Sequence, residues 1–159
     1  MPMEEKRFYL TKQKLKELEQ EHESLVVFER SKTIEEAPKV LESEDLNPEF
    51  LSFQEDMSLL RSRIMELENI LNNHELIKNP SKQSQNMIGL GARVLVSIDG
   101  EKDEFLITGT LEANPSLGKI SNESPVGKAL MGHKVGEEVV ISSPIKTVYK
   151  IKKIKYLLS

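Results

Sequence analysis

The sequence predicts an α+β protein in two parts, an N-terminal antiparallel coiled-coil hairpin followed by a small antiparallel β domain with one short helix. Three observations predict it. Apolar residues recur at alternating three- and four-residue steps through the first half of the chain. Past residue 90 that spacing gives way to strict alternation, the period of a strand. Between them, residues 78–87 (Lys-Asn-Pro-Ser-Lys-Gln-Ser-Gln-Asn-Met) hold few apolar groups and read as a linker. The expected division is therefore 1–77, 78–87 and 88–159.

Thr11 can cap the first helix, and strong helix formers follow it from Lys12 to Glu23. Leu15, Leu18, His22 and Leu25 form an apolar seam with one polar interruption. His22 reads as a seam or edge residue, because no second histidine lies at metal-ligating spacing and the chain has no cysteine. Helical character continues through Ile34 to Pro38, where the missing N–H predicts a kink or a stop. The second helix is cleaner: Phe53, Met57, Leu60, Ile64, Leu67, Leu71 and His74 repeat at alternating steps of four and three. Each helix is apolar on one side only and needs a partner. The break near residues 43–50 favours folding back into a monomeric hairpin over zipping between chains. A helix of about 35 residues would make a rod of roughly 50 Å.

The tip of this rod, near residues 42–50, gathers Glu42, Glu44, Asp45 and Glu49 around the turn formers Asn47 and Pro48. Two roles fit these carboxylates. Negative charge complements the dipole in the first turn of the second helix. Carboxylate oxygens also suit a hard divalent ion, although too few ligands are present for a self-sufficient site, so such an ion would be shared with a partner.

In the second half, Val94, Val96 and Ile98 alternate toward a turn at Asp99-Gly100, with Glu104–Thr108 as the hairpin partner. Lys119–Ser121 is a short strand. Pro125 opens a helical turn that Gly132 ends, and Glu138–Ile141 is the next strand. The last strand starts at Thr147. Tyr149 and Ile151 share a parity that Ile154 and Tyr156 break, which predicts a β-bulge near Lys152-Lys153. The lysines of this strand fit either a solvated edge or a contact with phosphates.

Composition sets further bounds. Aromatics make up only 5% of the 159 residues, which disfavours one large core. The absence of cysteine excludes disulfides and thiolate chemistry. No apolar run approaches the length of a membrane span, and Met1–Lys6 lacks the apolar stretch of a secretory signal, so a cytoplasmic protein is expected. The net charge of −4 is unevenly placed: residues 1–80 carry 11 Lys/Arg against 18 Asp/Glu, and residues 81–159 carry 11 against 8. The acidic half is unsuited to binding nucleic acid by charge alone. No nucleophilic triad can be assembled from His22, His74 and His133, and no glycine-rich segment leads into a Lys-Ser/Thr phosphate loop.

The run Ser124-Pro-Val-Gly-Lys-Ala-Leu-Met-Gly-His-Lys-Val-Gly136, within Gly118–Val139, resembles the bacterial transcript cleavage factors of the GreA/GreB family. Arg63-Ile-Met-Glu-Leu-Glu68 is similar to the return helix of such factors, and the likeness extends over nearly the whole chain. The resemblance implies an FKBP-like C-terminal domain that holds the rim of the RNA polymerase secondary channel while the hairpin enters it. It implies no enzyme activity and no cofactor of the chain's own. The tip acids would act on Mg²⁺ held by the polymerase, which then cuts the 3′ end of backtracked RNA and resumes elongation. Ser124, Pro125, Gly127 and Lys128 fall in the family's distinctive loop and are the expected docking residues. At the tip the family's Asp-Leu is met by Asp45-Leu46, so Asp45 is the expected shared metal ligand. The second acid departs from the pattern: Pro48 occupies its place in an ungapped match, while with a two-residue gap Asn47-Pro-Glu49-Phe50 meets the residues that follow and the acid is absent; Glu49 and Glu44 are the nearest substitutes. Two functions follow, stimulated cleavage or, as the alternative, a non-cleaving channel binder that inhibits or regulates the polymerase. An isomerase or chaperone role is disfavoured by the scarcity of aromatics in the C-terminal half.

Overall fold

The computed structural model describes residues 6–35, 48–142 and 145–157. The chain forms two compact units, Gln13–His74 and a second made of Arg7–Lys12 with the chain from Glu75 onward.

The first unit is a pair of helices, α1 (Lys12–Glu35) and α2 (Pro48–Asn72). They run antiparallel, since His22 meets Glu68 at 3.3 Å while Glu29, further along α1, meets Arg61 at 3.9 Å. Leu18, Met57, Ile64, Leu67 and Ile70 are buried. The seam is thinner than the spacing predicts: Leu15, Leu25, Phe53, Leu60 and Leu71 are only half-buried, and Val27, Phe28, Ile34 and Leu51 are exposed. His74 leaves the seam altogether. The helix stops at Asn72 because side chains take its last carbonyls, Asn73 Nδ2 donating to the Asn69 carbonyl (2.8 Å) and His74 Nδ1 lying 2.6 Å from that of Leu71.

Arg63 links the helices most closely, its guanidinium donating to both oxygens of Glu21 at 2.8 and 3.0 Å. That hydrogen bond holds the Glu21 carboxyl below its ordinary value. A lowered folded-state pKa stabilises the unit above the unfolded value of 4.5 and is lost as pH falls through the folded one. Both side chains are more than a third exposed, so screening limits the effect to at most about 1 kcal/mol. Glu21→Gln should therefore lower urea stability slightly at neutral pH and progressively less as pH falls below 4.5; an effect that does not shrink with acidification would remove this role.

The second unit contains β1 (Phe8–Leu10) and β2 (His74–Leu76), paired as a ribbon, and a five-stranded sheet. Its strands are β3 (Ala92–Ile98), β4 (Glu101–Thr108), β5 (Lys119–Ser121), β6 (Glu138–Ile141) and β7 (Thr147–Tyr156). Their order is β5-β4-β3-β7-β6. Asp99 (φ 51°) and Gly100 (φ 84°) take the left-handed pair of conformations that a two-residue hairpin needs. Val96 pairs with Ile151 and Leu95 with Lys153, so Lys152 is the extra residue of a bulge, as the parity change predicts.

The sheet is not wholly antiparallel, contrary to the expectation. β5 runs parallel to β4, because the chain between them turns back through short 3₁₀ turns at Thr110–Glu112 and Pro115–Leu117. The core lies on one face, where Val94, Val96, Ile107 and Ile151 meet Leu130 of the short helix α3 (Pro125–Leu130). β1 escaped the sequence reading. It is held by Thr11, whose N–H and hydroxyl both donate to the Glu112 carboxylate at 3.0 and 2.8 Å, and by Gly109, where any Cβ would collide with the Tyr9 carbonyl.

Candidate functional site

The loop leading into α3 is determined by hydrogen bonds made within a few residues. The Ser124 hydroxyl donates to the Ser121 carbonyl (2.7 Å) and accepts from the Gly127 N–H (3.0 Å), capping the helix. Pro125 follows at the position that needs no N–H donor. Behind the cap, the buried Ser121 accepts from the Glu123 N–H at 3.0 Å and meets the Thr110 hydroxyl at 3.1 Å. Thr110 in turn donates to the Glu123 carboxylate at 2.9 Å. Gly127 is buried hard against the Ser121 carbonyl, with no room for a side chain.

The four residues singled out by sequence thus divide by what they present. Pro125 and Lys128 are exposed, whereas Ser124 is occupied by the cap and Gly127 is buried. A partner would touch the first two, with the other two setting the loop's shape. Glu123, exposed beside Pro125 and tied to Thr110, was not anticipated; its position one residue before the cap was the available signal.

At the tip, Asp45 and Glu44 lie outside the described residues. Glu49 is the second residue of α2, exposed in its first turn, where a carboxylate complements the helix dipole. Pro48 opens the helix and is itself exposed. Among the described residues no three His, Asp or Glu side chains converge as a metal site, and no helix is long and apolar enough to cross a membrane.

Comparison with known proteins covers both units. Residues 8–76 match the family described as "Transcription elongation factor, N-terminal", and residues 83–156 match "Transcription elongation factor, GreA/GreB, C-term". Transcription elongation factor GreA of Thermomicrobium roseum is 37% identical over 148 residues, 92% of this chain and 95% of that protein. GreA of Bacillus subtilis is 37% identical over 145 residues, 89% of this chain and 91% of that one. Among solved structures, Gfh1 of Thermus aquaticus is 28% identical with a TM-score of 0.41, covering 93% of this chain and 97% of that chain. The chain belongs to the GreA/GreB family of transcription elongation factors, whose members regulate RNA polymerase and are not enzymes in their own right.

Proposed function

We propose that this chain binds bacterial RNA polymerase at its secondary channel and regulates it without stimulating RNA cleavage. In this reading the helices within residues 1–77 act as a coiled-coil hairpin that enters the channel, 78–87 as a linker, and 88–159 as an FKBP-like domain that docks at the rim. Pro125 and Lys128 make the docking contacts, and Ser124 and Gly127 hold the loop that presents them. The protein works as a cytoplasmic monomer. The supporting observation is the tip sequence: in an ungapped match Pro48, the first residue of α2, stands where the family resemblance places a second carboxylate, and with a two-residue gap that carboxylate is absent. A two-metal reaction depends on the exact placement of its acids, and a misplacement of about 1 Å can cost a hundredfold.

The test is a stalled, backtracked transcription complex supplied with Mg²⁺ and this protein. The expected result is competition with a cleaving relative for the polymerase and no shortening of the RNA beyond the intrinsic rate. Rapid shortening would overturn the proposal in favour of stimulated cleavage. That second reading has its own support in Asp45-Leu46, which keeps the family's first acid, and in Glu49 and Glu44 close by in sequence. Asp45 would then share an Mg²⁺ held by the polymerase near the RNA 3′ end, and Asp45→Asn should abolish the shortening while leaving binding intact.

A further inference from the structure

The turn between β3 and β4 sets Asp99 apart from the other aspartates of the chain. Among the described residues it is the one non-glycine with positive φ (51°), and Gly100 follows it at φ 84°. Both residues are exposed, and nothing lies within 4 Å of where a Gly100 side chain would begin. The two-residue loop closes through the pairing of Ile98 with Glu101, which leaves the Gly100 N–H with no hydrogen bond among the described residues. A free, unscreened amide nitrogen therefore stands next to an aspartate side chain. A bond from that nitrogen to Asp99 Cγ would close a five-membered ring. Such a reaction is intramolecular, with the reacting atoms held in one turn, and glycine on the far side leaves the backbone free to rotate into it.

The other candidates lack this combination. Asp56 precedes Met57 within α2, where the next N–H belongs to the helical ladder. The Asp103 carboxylate does accept from the Glu104 N–H at 2.8 Å, close to the nitrogen concerned. There, however, Asp103 is paired with Val96 in the sheet, and the Glu104 side chain screens the nitrogen. Asp45 precedes Leu46, and no asparagine of the chain precedes glycine.

We propose that Asp99-Gly100 is a site of spontaneous isomerisation to isoaspartate in the folded protein. The carboxylic acid form of Asp99 reacts. The Gly100 nitrogen bonds to Cγ and gives up its proton, the Cγ–OH bond breaks, and one water leaves. Water then adds back to one of the two carbonyls of the ring. Opening the N–Cγ bond restores aspartate, whereas opening the bond from the nitrogen to the main-chain carbonyl carbon leaves the chain running through the former side chain. Nothing is oxidised or reduced, and the product has the mass of the starting chain. It carries one extra main-chain carbon in the loop and a free α-carboxylate beside it. A two-residue hairpin loop depends on its left-handed pair of dihedrals, so the closure at the end of the central strand β3 is what loosens. The new α-carboxylate is the group on which a carboxyl-methylating repair enzyme would act.

The experiment keeps the full chain folded at neutral pH and physiological temperature for several weeks and samples it by trypsin digestion. Cleavage after Arg93 and Lys102 releases residues 94–102, which contain Asp99 and no other aspartate. The expected result is a second species of this peptide, equal in mass, different in retention and growing with time. An isoaspartyl methyltransferase with a labelled methyl donor should mark that species and not the first. Asp99→Glu keeps the charge but would need a six-membered ring, and it should abolish the second species. Gly100→Ala places a methyl group beside the nitrogen and should slow its appearance severalfold. A single species throughout, the same doublet in Asp99→Glu, or equally fast conversion of the peptides bearing Asp56 or Asp103 would overturn the proposal. So would conversion confined to chain unfolded in urea, because the reacting turn is that of the folded protein. No polymerase takes part, so the outcome is independent of the channel reading.

Discussion

Gly127→Ala is expected to destabilise the β domain by on the order of 3 kcal/mol, a loss of more than about 12 °C in Tm for a unit of this size. A Cβ at this position would overlap the Ser121 carbonyl oxygen and would also come within 2.9 Å of the Ser121 carbonyl carbon and 3.0 Å of Ser124 Oγ. The chain can escape only by moving α3 or the Ser121 backbone. Either shift breaks the Ser124 cap, worth about 1 kcal/mol by itself, and lifts the fully buried Leu130 from the core. Gly132→Ala is the comparison. Gly132 has φ 82° but open space around it, so only the left-handed backbone is strained, at a cost of about 1 kcal/mol. Thermal melts of the two variants separate a packing requirement from a backbone one. Equal melting temperatures would show that the close approach of Gly127 to Ser121 is not what requires glycine.

Leu67→Ala should have the next largest effect, a loss of about 2–5 kcal/mol. Leu67 is fully buried in a helix pair whose other described buried residues are Leu18, Met57, Ile64 and Ile70, so truncating it removes a large share of that small core. A helix pair with so little buried surface has few other contacts to hold it together. The expected outcome is lost helical signal in far-UV circular dichroism and a lowered urea midpoint. Leu59, 72% exposed on the same helix, gives the contrast, since its replacement by Ala should change stability by no more than about 0.5 kcal/mol. Similar losses at both positions would mean that the seam does not hold the helices together.

Local signals carried the sequence reading where local physics decides the structure. The parity break around Lys152 located the bulge, Asp99-Gly100 located the hairpin turn, and Ser124-Pro125 located the start of α3. What escaped is decided by contacts far apart in the chain. β1 is only three residues long and depends on a ribbon partner more than 60 residues away and on Glu112, 101 residues from Thr11. The parallel pairing of β5 is set by the path through two 3₁₀ turns, which period-two alternation does not encode. The heptad spacing identified the helices but overstated their seam, because spacing fixes which residues can face a partner and not how closely the partner approaches.

The candidate site was legible unevenly for the same reason. The docking loop was recognisable as a run of residues, but the division between exposed Pro125 and Lys128 and the inward-engaged Ser124 and Gly127 comes from hydrogen bonds and burial. At the tip, sequence supplied the acids, and the described structure adds the place of Glu49 in the first turn of α2.

The proposed function requires the tip of the hairpin to reach the interior of the polymerase. The absence of cysteine makes a direct test simple, because Glu49→Cys creates a unique attachment point on an exposed residue at the start of α2. With a short crosslinker at that position and purified RNA polymerase, attachment is expected to polymerase segments around the catalytic centre. Attachment only to the outer surface, by a variant that still binds the enzyme, would contradict it.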